Sequence, residues 1–350
     1  MKHTQWSRLQ GILRGVGEGI PVGLIVDSPW MPGYCGMSNL DFYVRSEEWF
    51  GAYQKIKRDF PEIIFLPDWW AEYGMATEPS GFGGRVEFFD NNLPIIHPII
   101  ASADDTSAID WLKPPDPRTC GLMPLLLNFQ RAVLPKIQEL GEEIFIVSTR
   151  GPLTIASHLL SLTELLVCLK IDPDAVHKLL RLTTDLCKNW LTAQLDNVGT
   201  ARGILVLDDV SGMLGRADYE EFAHPYLKEI FDAFSGMVKI FHNDTDNDTC
   251  YPFVSSLGVD LFNFTHKKDI GDVRQSVARL CLLGNIPPMA LADESPETVY
   301  DLSRGVIRRY REVNGNTRGL ILSAGGGAPM GAKRENINAM LRAAMEESSK

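Results

Sequence analysis

Eight short apolar runs, separated by segments of helical length, predict an α/β fold in one domain, a (β/α)8 barrel. Three observations carry this expectation. The runs lack period-two alternation, which is how strands read when both faces are buried. Most of the intervening segments return to a helical spacing of apolar residues. The 350 residues contain no linker, low-complexity stretch or shift in composition that would divide them. A doubly wound open sheet is the structural rival, and no GxGxxG at a strand–helix turn supports it.

The elements follow in order along the chain. Residues 5–17 suit a short helix, and 21–27 a first buried strand ending in Asp27-Ser-Pro-Trp30. Ser38 or Asn39 can cap a helix over 40–57. The second strand, 63–66, ends at Pro67-Asp68-Trp69-Trp70. A long irregular region, 71–115, holds a hairpin across 85–100; loops of this length usually carry function or act as lids. A helix over 120–139 precedes the third strand, 144–147, which runs out at Ser148-Thr-Arg150. Helical spacing resumes to about 168, then from 173 to 197 after the stop–start signal Asp172-Pro173. The fourth strand, 203–207, ends in Asp208-Asp209, and Asp218 can cap a helix over 219–234. The fifth strand is the most informative: Met237-Val-Lys-Ile-Phe runs straight into His242-Asn-Asp244. Strands over 260–264, 280–285 and 319–323 alternate with an amphipathic helix, 295–313, and a closing helix, 334–347.

Composition narrows the function classes. The formal net charge of −11 argues against nucleic acid or an anionic membrane as the main partner. No run of eighteen apolar residues is present, and the first residues lack a signal-peptide core. The six cysteines are scattered with no CxxC, as in a reduced cytoplasmic protein.

In a barrel of parallel strands, chemistry gathers where the strands end. Those ends offer Asp27, Asp68, Arg150, Asp208 with Asp209, His242 with Asp244, Asn263 with His266, Asn285, and Ser323 followed by Gly325-Gly326-Gly327. Such a set suits a metal, proton transfer or several polar ligand groups. Adjacent strand residues face opposite ways, so one of Asp208 and Asp209 caps the next helix while the other faces the pocket. The glycines let backbone approach a ligand closely. Trp30, Trp69 and Trp70 could form an apolar ligand wall, with core packing as the default for indoles. Cys250 reads first as a small buried hydrophobe and only second as a metal ligand.

The motifs resemble those of the uroporphyrinogen decarboxylase superfamily. Arg150-Gly-Pro-Leu-Thr154 is similar to its Gly-Pro-small-Thr corner. Leu207-Asp-Asp-Val-Ser-Gly212 with Glu221-Phe-Ala-His-Pro-Tyr-Leu-Lys228 resembles its Asp-Asp strand end and following helix. Leu283-Gly-Asn-Ile-Pro-Pro288, Leu322-Ser-Ala-Gly-Gly-Gly327 and Glu335-Asn-Ile-Asn-Ala-Met340 complete the pattern. The resemblance implies a (β/α)8 barrel and either of two chemistries. Tetrapyrrole decarboxylases need no cofactor and hold their carboxylate-rich substrate with arginines. The equivalent loop here, residues 28–38, has neither Arg nor Lys. The corrinoid-linked, zinc-dependent methyltransferases carry His-x-Cys after the fifth strand and a late Cys after the eighth. Here those places read His242-Asn-Asp244 and Gly325-Gly-Gly327, which leaves a harder metal set of His242, Asp244 and Glu221.

The resemblance therefore implies a methyltransferase that moves a methyl group between a small donor, such as a methoxylated aromatic, and a corrinoid protein. Zinc would assist, His242, Asp208, Asp209 and Asp27 would carry the chemistry, and Trp30, Trp69, Trp70, Arg150, Asn263, Asn285 and Gly326 would bind substrate. Decarboxylation of uroporphyrinogen and a non-catalytic binding barrel are the alternatives, and a homodimer is compatible with all three.

Overall fold

The computed structural model describes residues 1–26, 30–277 and 280–349. Among these residues are ten strands: β1 (Gly23–Ile25), β2 (Ile64–Leu66), β3 (Val86–Phe89), β4 (Asn92–Ile96), β5 (Ile146–Arg150), β6 (Gly203–Leu207), β7 (Val238–Asn243), β8 (Leu261–Phe264), β9 (Cys281–Ile286) and β10 (Leu320–Ala324). Strands β3 and β4 pair antiparallel as the hairpin expected within 85–100. The other eight form the barrel wall. Strands β5 to β10 make one parallel sheet in chain order, and β1 pairs with β2. Parallel bridges Val22–Leu322 and Ile25–Gly327 join β1 to β10. The chain is a (β/α)8 barrel, as its hydropathy predicts.

Among the described residues, no backbone ladder joins β2 to β5. Side chains from the segment after β2 close that seam. Glu78 Oε1 accepts the backbone N–H of Arg150 at 2.8 Å and the hydroxyl of Thr149 at 3.3 Å. The last amide of the edge strand would otherwise be buried without an acceptor, at a cost of about 1–3 kcal/mol.

The apolar residues of the barrel strands are buried apart from half-buried Val238, with Leu205, Val206, Phe241, Phe262, Leu282 and Ile321 completely so. Each such side chain contributes about 1.5–3 kcal/mol by leaving water. Strand β5 runs later than its apolar stretch, because Ser148, Thr149 and Arg150 pair in register with Leu205, Val206 and Leu207. The helix expected over 40–57 is two helices, Asn39–Val44 and Ser46–Asp59, broken at Arg45, whose backbone is extended. Asp218 caps nothing; it lies inside a continuous helical stretch and binds Lys170 Nζ at 2.5 Å. Ser295 and Asp172 cap their helices through side-chain oxygens. No single helix among the described residues is long and apolar enough to cross a membrane.

Candidate metal centre at the strand ends

The strand register sets one row of residues around most of the wall. Arg150 pairs with Leu207, Leu207 with His242, His242 with Asn263, Asn263 with Leu283, and Leu283 with Ile321. Because side chains alternate between faces, these six share a face. Two residues further on, nearer the mouth, the same face carries Asp209, Asp244 and Ser323.

The pleat separates the two adjacent aspartates as expected. Asp208 is fully buried and points to the outer helices. Its Oδ1 accepts from Thr154 N (3.1 Å), Thr154 Oγ1 (2.9 Å) and Ser211 N (3.3 Å), and its Oδ2 from Leu153 N (3.1 Å). It thus caps the helix Pro152–Leu160, where the positive end of the dipole favours a carboxylate. Gly151 makes this approach possible, since a Cβ there would lie 2.3 Å from the Asp208 side chain. The Gly-Pro corner and the Asp-Asp strand end are one structural unit. Burial pushes the Asp208 carboxyl up to about 7, against the pull of Thr154 and Leu153. Its expected catalytic place is corrected to a structural one.

Asp209 turns inward. Its Oδ1 lies 3.4 Å from His242 Nε2 and accepts the backbone N–H of Asp244 at 3.2 Å. One ligating atom from each of Asp209, His242 and Asp244 lies within 4.8 Å of the others. The histidine is held from behind. Asn263 donates through Nδ2 to the carbonyls of Leu283 (2.7 Å) and Ala324 (3.2 Å), so its Oδ1 must accept from His242 Nδ1 at 2.7 Å. The Nδ1 proton is thereby fixed, and Nε2 faces the two carboxylates. A lone pair and two carboxylates converging on one point require a cation between them, a proton or a metal. Burial lowers the His242 pKa, but Asp209, Asp244 and the Asn263 hydrogen bond outweigh it and raise the value overall. Burial also raises the Asp209 carboxyl, with His242 pulling it down and Asp244 pushing it up.

The donor set fits zinc. One imidazole and two carboxylates are ordinary zinc ligands, and a tetrahedral ion with ligands at about 2.0–2.2 Å spaces neighbouring donors by roughly 3.3–3.6 Å. The Asp209–His242 separation of 3.4 Å matches that spacing, and the Asp244 donor lies within 4.8 Å of both.

Other expected site residues are placed differently. Glu221 is not part of the cluster; its exposed carboxylate faces His177 Nε2 at 3.4 Å on the outer helices. Trp30 and Trp69 are core. Trp30 donates its indole N–H to Ala332 O at 3.1 Å, and Trp69 donates to Glu142 Oε2 at 2.8 Å among Trp49, Phe50 and Tyr53. Trp70 is buried as well, with the Arg150 guanidinium 4.9 Å over its ring. Arg150 is buried and binds Glu72 Oε2 through Nη2 at 2.5 Å and Met75 Sδ through Nε at 3.2 Å. Asn263 supports His242 rather than a substrate. Asn285 spends its amide on the carbonyls of Thr265 (3.2 Å) and Lys268 (2.7 Å). Asp68 is buried against Lys57, and Cys250 is fully buried outside the cluster. Asp27 lies outside the described residues. Sequence patterning missed Glu72 and Glu78 as partners of Arg150; two buried acids in an aromatic-rich loop were the available signal.

The barrel and the strand-end cluster define the class, and the comparisons identify the family. The chain belongs to the uroporphyrinogen decarboxylase family, whose model matches residues 70–347. It is 26% identical over 294 residues to a uroporphyrinogen decarboxylase of Synechococcus, covering 79% of each chain. It is 27% identical over 287 residues to that of Methylococcus capsulatus, covering 78% of this chain and 77% of the relative. Among solved structures, a methyltransferase from Methanosarcina mazei superposes with a TM-score of 0.80 at 17% identity, covering 98% of both chains.

Proposed function

We propose that this protein is a methyltransferase that moves a methyl group between a small methylated donor, such as a methoxylated aromatic, and a corrinoid protein. The observation that carries this reading is the convergence of Asp209, His242 and Asp244 at the strand ends, with His242 oriented by Asn263. The similarity in fold to the Methanosarcina mazei methyltransferase accords with it. Asp209, His242 and Asp244 would hold a zinc ion, which supplies Lewis-acid polarisation of the leaving oxygen, a poor leaving group on its own. The chain's own residues provide the setting. Asn263 keeps the Nε2 face of His242 open to the cluster. Arg150, braced by Glu72 and stacked on Trp70, places a fixed positive charge at the same mouth. Asp208 ties the strand carrying Asp209 to the neighbouring helix, so that Asp209 has a rigid base.

A second reading is favoured by one observation, the kinship to uroporphyrinogen decarboxylases over nearly four-fifths of the chain. One experiment separates the two. Protein purified without chelator is analysed for metal, then assayed with methoxylated aromatics, methylthiols and a methylated corrinoid carrier, and separately with uroporphyrinogen. Stoichiometric zinc and methyl transfer, both lost in His242→Ala, support the methyltransferase. Failure with every donor, together with turnover of uroporphyrinogen, replaces it with the decarboxylase.

A further inference from the structure

We infer that Ser323 is a substrate-contacting residue whose hydroxyl hydrogen-bonds an oxygen of the donor other than the one that loses its methyl group. This rests on the methyltransferase reading above and narrows its substrate class to methoxyarenes carrying a further hydroxyl or alkoxy group. Ser323 is fully buried at the end of β10, and its Oγ has no hydrogen-bond partner among the described residues. Buried hydroxyls are nearly always paired, so one left alone in the protein by itself marks a place where something else belongs.

Its position says what that is. Ile321, two residues back on the same face, fills the barrel interior where Gly23 yields space; a Cβ on Gly23 would lie 2.9 Å from Ile321 Cγ2. Ser323 stands one layer nearer the mouth. The same two-residue step takes Leu207 to Asp209 and His242 to Asp244, so Ser323 shares the layer of Asp209 and Asp244, one step nearer the mouth than His242. Its neighbours leave it alone. Asn285, its register partner on β9, turns its amide to the carbonyls of Thr265 and Lys268. Gly325 and Gly326 follow without side chains, packed against His266 and Asp244, so neither offers the hydroxyl a side-chain partner.

The cluster sits at the ends of β6 and β7 and Ser323 on β10, with β8 and β9 between β7 and β10 along the wall. A donor whose reacting oxygen faces the cluster therefore meets Ser323 with a different atom. A ring with a second oxygen substituent bridges the two, and anisole does not.

The test is calorimetric titration of the full chain with 3-methoxyphenol, 4-methoxyphenol and anisole, without any corrinoid protein, for wild type and Ser323→Ala. The variant is expected to bind the better methoxyphenol about five- to tenfold more weakly, the loss of one neutral hydrogen bond, and anisole unchanged. Its melting temperature without ligand should rise by about 1–3 °C, since an unpaired buried hydroxyl has been removed. Equal losses for all ligands, no loss for any, or a lower melting temperature (the mark of a structural internal water) would overturn the inference. Wild type that binds no methoxyarene would overturn the donor class of the methyltransferase reading and this inference with it.

Discussion

Gly326 and Asp244 divide one small volume between them: a Cβ on residue 326 would lie 2.6 Å from Asp244 Oδ2. Residue 326 follows β10, in the glycine run where the resemblance to zinc methyltransferases implies a cysteine ligand. Here that position has no side chain, and a carboxylate from the loop after β7 occupies the space. The missing side chain at 326 and the carboxylate at 244 are therefore coupled: a side chain at residue 326 would exclude Asp244 from its present place.

Gly326→Ala should displace Asp244 from the cluster. The backbone at Gly326 has φ 134°, a conformation that L side chains rarely adopt, so strain of about 1–3 kcal/mol adds to the steric conflict. Zinc affinity is expected to fall by at least about 10–100-fold, the loss seen when a ligand is merely misoriented. Competition titration against a chromophoric chelator reads the affinity, and circular dichroism confirms the fold.

Asn263→Ala removes the acceptor for His242 Nδ1 and the donor for two buried carbonyls, Leu283 O and Ala324 O. Both effects have measurable signs. Freed to rotate and to change tautomer, His242 should bind metal about 10–100-fold more weakly. The orphaned carbonyls should lower stability by about 1–3 kcal/mol in denaturant titrations. A variant with unchanged metal affinity would show that Asn263 does not orient the histidine.

How much of this was readable beforehand depends on which force decides each residue's place. The barrel was legible because strands buried on both faces leave uninterrupted apolar runs, such as 203–207, and their ends are sharp. His242 and Asp244 were legible for the same reason, lying directly beyond such an end on alternate positions. The pleat told that Asp208 and Asp209 part company, but not which turns inward. That choice depends on Gly151 and Thr154 in another element, which only the fold brings near. Glu221 was misplaced because its helix, with a π-turn at Tyr219–Ala223, carries it to the outer surface opposite His177. Trp30, Trp69 and Trp70 look the same in sequence and all are buried; the indole N–H groups of Trp30 and Trp69 find buried acceptors, Ala332 O and Glu142, while Trp70 packs against the Arg150 guanidinium.

Glu78 supplies a pH-dependent prediction. Burial raises its carboxyl pKa; Arg150 and its backbone N–H pull it down, and Glu72 pushes it up. A carboxyl whose folded pKa is raised holds its proton in the folded protein after the unfolded chain has released one. Its contribution to stability is complete below the ordinary glutamate value of 4.5 and is lost as pH rises through the higher folded value. Glu78→Gln keeps an oxygen for Arg150 N and Thr149 Oγ1 but cannot ionise. The stability gap, wild type minus variant, should therefore move in the variant's favour as pH rises above 4.5. Parallel stability curves for the two proteins would show that Glu78 does not titrate in that range.

Uroporphyrinogen should be neither bound nor turned over. A tetrapyrrole bearing many carboxylates needs cations at the mouth, best supplied as bidentate arginines. The loop 28–38 has no Arg or Lys. Arg150, which the register places in the row of His242, already binds Glu72 through Nη2. The layer above holds Asp209 and Asp244, which repel a polyanion unless a metal neutralises them. Even a zinc ion would only cancel the charge of those two carboxylates and would hold His242 as a neutral ligand, leaving the braced Arg150 against the full charge of the substrate. Decarboxylation is measured by the appearance of coproporphyrinogen under anaerobic conditions, with and without added zinc. No product above background is expected in either case. Turnover that survives removal of metal would place the polyanion elsewhere in the mouth and return the decarboxylase reading to first place.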